Sequence, residues 1–156
     1  MVPGTQVMYN LEVAQDHTFT VGVGEWVVHN SGGLCSNLGD AREQYVQDNI
    51  SSLIPDAGDN LRSQVKFSVK GASATADFVT DNAIIEVGGY DKVNDLVRFG
   101  KQMSVYAKSA KPGQTVYFLY DATGDPIPAA LQQIANRWGV TVVEFNLPVS
   151  YWPATP

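Results

Sequence analysis

A single cysteine, Cys35, among 156 residues leaves this chain without an intrachain disulfide or a thiolate zinc cluster. No run of about 18 apolar residues is present, so no helix is expected to span a membrane. No charged segment followed by an apolar one marks the N-terminus as a secretory leader. Positive charge is scarce too: ten Lys+Arg face sixteen Asp+Glu, a net charge of −6. Proteins that grip polyanions indiscriminately usually present a basic surface that releases counterions, and this balance speaks against one. Internal repeats and low-complexity tracts are also missing.

What is present suits a globular protein. The apolar fraction, 44%, excludes wholesale disorder, and the length fits one domain of about 120 residues plus an appendage. The acidic excess is uneven. Residues 1–30 hold Glu12, Asp16 and Glu25 and no Lys or Arg, whereas Glu86 to Lys111 carries a balance of +2. The chain reads as a piece of a longer polypeptide.

In the first thirty residues, Val7–Val13, Thr18–Val21 and Glu25–Val28 read as short strands separated by Asp16 and by Gly22 and Gly24. They end in His29-Asn30-Ser31. An Asn amide can attack its own carbonyl and cut the chain, and a neighbouring imidazole can move the proton this requires; taken by itself, the tripeptide is more often a plain surface turn. The longer segment YNLEVAQDHTFTVGVGEWVVHNS resembles the C-terminal end of intein-like Hint domains. That resemblance gives His17 an assisting role, His29 a polarising one, Asn30 the cyclisation, and makes Ser31 the first residue released. The Hint part that supplies the first nucleophile has no counterpart here, so residues 1–30 are expected to be an inactive remnant and residues 31–156 the domain it precedes. Hint domains sit just upstream of the C-terminal toxin domains of bacterial polymorphic toxins, those of contact-dependent inhibition and related systems.

Beyond the Ser31-Gly32-Gly33 linker, Asn37 or Asp40 is placed to cap a helix running to about Leu53. Strands are expected at Val65–Val69, Thr75–Thr80 and Ala83–Val87, the last two joined by an Asp81-Asn82 turn. One long helix is then expected from Lys92 to Ala110, a buried strand at Val116–Tyr120, a helix from Pro126 through Trp138, and a second buried strand at Val140–Phe145. The tail from Pro148 to Pro156 is expected to lie extended over the surface. The order αβββαβαβ implies an α/β fold with a mixed central sheet and flanking helices on both faces, plus the short N-terminal β remnant.

The stretch Ala74–Tyr106 brings two carboxylates together. Asp77 lies on one short strand, and Glu86 lies near the end of the next, on the same face as Ile84 and Gly88. Two carboxylates and a main-chain carbonyl suit a hard divalent cation; by spacing alone, the pair equally fits two solvent-exposed strand ends. On the helix that follows, Asp95, Arg98, Gln102 and Tyr106 recur at i, i+3, i+7 and i+11, one face. A partly buried helix with one amide fits that pattern as well.

Residue pattern and element order together resemble the PD-(D/E)xK nuclease superfamily, in which an Asp begins the second strand and Glu-x-Lys ends the third. The superfamily's Lys is here Gly88, and Glu86-Val87-Gly88-Gly89 resembles a variant with the Lys a few residues on, which makes Lys92 the leading replacement, with Lys70 and Lys101 in reserve. Gln102-x-x-x-Tyr106 is similar to a helix motif of its exonuclease-type members. The resemblance implies a restriction-endonuclease-like fold and Mg²⁺ (or Mn²⁺) held by Asp77, Glu86 and the Val87 carbonyl. It gives Lys92 the attacking water to orient or deprotonate, Gln102 a catalytic contact to phosphate, and Arg98, Lys101 and Tyr106 the binding of substrate. Glu43 either joins the metal shell or sits on a solvated helix face.

Such a protein is a phosphodiester hydrolase of interbacterial competition. DNA is slightly favoured over transfer RNA as substrate, a cognate immunity protein is the expected partner, and action follows export into a target cell's cytoplasm. Two readings stand beside it: a non-catalytic binding module with a decayed site, and a Hint-type processing unit.

Overall fold

The computed structural model describes residues 37–153 and, ahead of them, two short strands, β1 (Met8–Tyr9) and β2 (Val21–Gly22), which pair antiparallel. The remaining expectations for residues 1–36, including His17, His29, Asn30 and Ser31, lie outside the described residues. No helix among the described residues is long and apolar enough to cross a membrane. The chain divides into two compact units, one formed by residues 1–48 and 147–156 and the other by residues 49–146.

The first unit contains most of helix α1 (Leu38–Leu53). Asn37 is its cap: the side-chain Oδ1 accepts the Asp40 N–H at 2.9 Å, satisfying an amide with no partner inside the helix. The helix breaks at Asn49 (φ −124°, ψ 20°), where the chain passes to the second unit. The tail does not run extended. A 3-10 turn, Val149–Tyr151, stands the Tyr151 ring edge-on to Tyr45 at 5.1 Å, and the Tyr151 hydroxyl donates to Asp48 at 2.7 Å.

The second unit is α/β, with a five-stranded mixed sheet in sequential order: β3 (Arg62–Val69), β4 (Ala72–Val79), β5 (Ala83–Gly88), β6 (Thr115–Asp121) and β7 (Thr141–Phe145). β3, β4 and β5 are antiparallel neighbours, and β5, β6 and β7 are parallel. Lys70 and Gly71, both at positive φ (47° and 86°), make the two-residue hairpin turn between β3 and β4. β6 is the apolar run through the middle, and Val116, Phe118, Leu119 and Tyr120 are buried along it. β7 differs from expectation: as an edge strand it is half-exposed, with only Phe145 buried.

The expected long helix is two elements. Tyr90–Asp95 is a 3-10 turn, and α2 begins at Leu96 and ends at Ser109. Asp95 leaves helical space (φ −147°, ψ 75°), and its carboxylate caps the new helix through the Arg98 N–H at 3.0 Å. Helix α3 (Ala129–Arg137) starts later than expected, because Pro128 holds an extended conformation (ψ 143°) and restricts Ile127 before it. α2 and α3 share one face of the sheet, where Phe99, Met103, Tyr106, Leu131 and Ala135 join Ile84, Val116, Phe118 and Tyr120 in one core. The crossovers β5-α2-β6 and β6-α3-β7 move the same way across the sheet, so connections of one hand put both helices on one side.

Phe118 is fully buried and meets Phe99 edge-on at 4.8 Å. Phe118→Ala is expected to cost about 3–5 kcal/mol in urea unfolding. Val97→Ala on the exposed face of α2, at 85% exposure, should stay within about 0.5 kcal/mol.

Candidate functional site

All the described side chains that converge on one polar cluster come from the second unit. Asp77 sits where the sheet opens on both sides of β4. Toward β3 the ladder pairs Ser63 with Phe78 and Val65 with Ala76 but omits Gln64 and Asp77, and Gln64 is turned to φ 53°. Toward β5 the ladder stops at Phe78–Ile85, one residue short of Asp77. The Val87 N–H, which would otherwise continue that ladder, donates to Asp77 Oδ2 at 2.8 Å. A side-chain oxygen thus replaces a backbone acceptor. Gln64 Nε2 reaches Asp77 Oδ1 at 3.5 Å, a weak contact.

Glu86 shares a strand face with Ile84, directed at α2, and is only 3% exposed. A carboxylate buried this far needs hydrogen-bond donors. Its Oε1 accepts from Lys92 Nζ at 2.8 Å and from Gln102 Nε2 at 3.3 Å. Its Oε2 accepts from the Tyr106 hydroxyl at 2.8 Å. The same hydroxyl lies 2.8 Å from the Thr75 carbonyl oxygen, so one hydrogen is shared between two acceptors on neighbouring strands. Gln102 and Tyr106 reach one carboxylate together because they are four residues apart on α2.

Lys92 reaches Glu86 by passing over Gly88. A Cβ on residue 88 would stand 2.5 Å from Lys92 Cε and 3.0 Å from its Cγ. The apolar stem of the lysine therefore occupies the space a side chain at position 88 would need. The lysine absent from the strand is supplied to the same place from the 3-10 turn.

Electrostatics fix both proton donors. Burial is the strongest single influence on Lys92 and lowers its pKa, but Glu86, Asp77 and Asp91 together outweigh it and hold the ammonium above its ordinary 10.5. Burial foremost, then the Glu86 charge, pushes the Tyr106 phenol far above its ordinary 10.0. At neutral pH the site is a carboxylate clasped by an ammonium, an amide and a neutral phenol.

Asp77, Glu86, Val87, Lys92, Gln102 and Tyr106 are thus brought together. Arg98 and Lys101 are not: they are exposed on α2 beside the cluster, and Asp95 is a helix cap. Lys70 is in the β3–β4 turn, before β4 begins at Ala72; Asp77 lies five residues further along that strand, roughly 17 Å at strand rise, so Lys70 is too far to serve. Glu43 belongs to the other unit. Among the described residues no group of three or more His, Cys, Asp or Glu gathers. A cation here would rely on the two carboxylates and a carbonyl oxygen. The Val87 carbonyl suits that set, since a strand residue directs its N–H and C=O to the same side and this N–H points to Asp77. Hard oxygen donors of this number fit Mg²⁺, which keeps much of its water.

Sequence reasoning missed Gln64, the Thr75 carbonyl and the steric role of Gly88. No spacing marks a left-handed Gln opposite an Asp. The Gly-Gly pair after Glu86 was a legible signal that room had been made there.

Two outcomes test this geometry. Gly88→Ala should displace the Lys92 stem, costing about 1–3 kcal/mol of stability by overpacking and returning the Lys92 pKa toward 10.5, readable by NMR. Lys92 and Tyr106 both hold their protons more tightly when folded, so their contribution to stability is complete below about pH 10 and is lost progressively as pH rises above their ordinary values of 10.5 and 10.0 toward the raised ones. Urea midpoints of the wild type should therefore fall more steeply above pH 10 than those of Tyr106→Phe; equal slopes would contradict the assignment. No protein-family model matches this chain, and no curated protein matches it.

Proposed function

We propose that residues 49–146 carry the site of a metal-dependent nuclease, with α1-β3-β4-β5-α2-β6-α3-β7 read as the restriction-endonuclease-like order of a PD-(D/E)xK enzyme. The observation that carries this reading is the Lys92 ammonium on Glu86, 2.8 Å away and laid across Gly88. It supplies the third member of an Asp-Glu-Lys set that the strand itself lacks.

Asp77, Glu86 and the Val87 carbonyl would hold Mg²⁺ (or Mn²⁺), which when bound lowers the pKa of a water and neutralises charge on a scissile phosphate. Tyr106, kept neutral by burial and by Glu86, fixes the carboxylate's orientation through Oε2. Gln102 holds Oε1 and presents an amide to a phosphate oxygen. Lys92 enters as a full cation, so its part is to orient the attacking water and offset charge developing on phosphorus, as preorganised donors do.

On this reading residues 31–156 are a toxin domain and residues 1–30 a Hint remnant. The substrate is DNA, with transfer RNA the alternative, and the producing cell needs an immunity protein. Action is in a target cell's cytoplasm after export. One observation favours a second reading, a binding module with a decayed site: both oxygens of Glu86 are already engaged by protein donors.

The deciding experiment incubates the full chain with plasmid and with total RNA, side by side, with Mg²⁺ and in excess chelator. Cutting is expected only with the metal. Glu86→Gln, which keeps the shape of the side chain, should abolish it, and Lys92→Met should slow it about 10²–10³-fold. Robust cutting by Glu86→Gln or in chelator removes this site as the catalyst; a fully folded, inactive wild type leaves the binding module.

A further inference from the structure

Beside the carboxylate cluster lies a recess of about 630 Å³ between α2 and the β3–β4 hairpin. Lys66 of β3 and Arg98 and Lys101 of α2 all contribute to its lining. All three are exposed, and among the described residues none forms a salt bridge with a carboxylate. Asp95 is the one acid in the lining, and its carboxylate is turned to the Arg98 N–H as the α2 cap.

The acidic balance of the whole chain hides this patch. Residues 49–146 contain nine Lys+Arg and ten Asp+Glu, so the unit is nearly neutral and the excess acid lies elsewhere in the sequence. Within a near-neutral unit, three unpaired cations facing one recess form a local attraction for anions.

The recess runs up to the cluster. Gln102 lines it and donates to Glu86; Thr75 lines it and accepts from Tyr106, which also holds Glu86. An extended polyanion lying across the three cations is therefore led to Glu86. The lining holds no aromatic ring on which a base would stack, so the grip is on the backbone.

We infer that Lys66, Arg98 and Lys101 form a binding track for the phosphate backbone of nucleic acid, held without regard to base sequence and directed toward Glu86. The inference rests on the nuclease reading only for what happens at the end of the track. Lys66 was invisible in the sequence, where it is one polar position in an alternating strand.

The test measures binding of a fluorescein-labelled single-stranded DNA oligonucleotide, its duplex and an RNA of the same sequence to the full chain in excess chelator, followed by cleavage in Mg²⁺. Three phosphate contacts on a single strand predict affinity about 20-fold weaker at 200 mM than at 50 mM salt. Lys66→Ala, Arg98→Ala or Lys101→Ala should each weaken binding and lower the salt slope by about 0.7, and the triple variant should be nearly insensitive to salt. These positions are exposed, so each variant is checked as folded by its unchanged urea midpoint. No binding by the wild type to either strand form, or an unchanged slope in the triple variant, overturns the track. The two claims separate: wild-type cutting undiminished in the triple variant removes the track and keeps the nuclease, while salt-dependent binding lost in the triple variant, with no cutting in Mg²⁺, keeps the track and removes the nuclease. DNA and RNA bound alike agree with a backbone grip, and a strong preference for one base sequence contradicts it.

Discussion

A carboxylate taken out of water must be met by donors, and the arrangement around Glu86 follows from that requirement. Lys92, Gln102 and Tyr106 come from a 3-10 turn and from two successive turns of one helix, yet all three end on the same two oxygens. Hydrogen bonds to a charged group are worth about 1.5–3 kcal/mol each, and a buried charge that loses a partner costs more than the bond gave. The cluster therefore sets the registry of α2 against the sheet: a shift of α2 by one residue would carry Gln102 and Tyr106 away together. Tyr106 extends the constraint to β4 through the Thr75 carbonyl, tying together the strands that bear Asp77 and Glu86.

The opening of β4 at Asp77 is the counterpart. Continuous ladders on both sides would have left its neighbourhood no backbone group to spare. Here Gln64 is twisted out of register, and the Val87 amide is satisfied by a side chain. Sites of this kind are found where regular pairing is given up locally and the cost is met by rigid packing around it, here Phe99, Phe118 and Ile84 in the core beneath.

How much of this could be read in the residues differs from element to element. Strand alternation at Val65–Val69 and the apolar run at Val116–Tyr120 were legible because burial imposes period and continuity. The convergence of Glu86, Gln102 and Tyr106 was legible because strand and helix periods are rigid. The boundary at Asp95 was not, since a cap is chosen by a local competition between side-chain and backbone hydrogen bonds that apolar spacing does not register. The placement of α2 and α3 on one face follows from hand and direction of travel. Lys92 was found only through likeness to a pattern; its path across Gly88 is a matter of three-dimensional room, which no spacing expresses. The half-exposed β7 was read as buried because edge strands and central strands can carry similar apolar runs.

Supplying the lysine from a turn has a dynamic consequence. A lysine on β5 would have its backbone fixed in the ladder of the central sheet. Lys92 instead sits on a six-residue 3-10 segment, Tyr90–Asp95, with the Lys92 N–H bonded to the Gly89 carbonyl at 3.1 Å. Segments of that type have poor hydrogen-bond geometry and open at a small fraction of the global unfolding free energy. The ammonium can thus leave and return to Glu86 by local fraying while β4, β5 and α2 stay folded, and its presence at the carboxylate becomes an equilibrium of its own, separable from the stability of the fold.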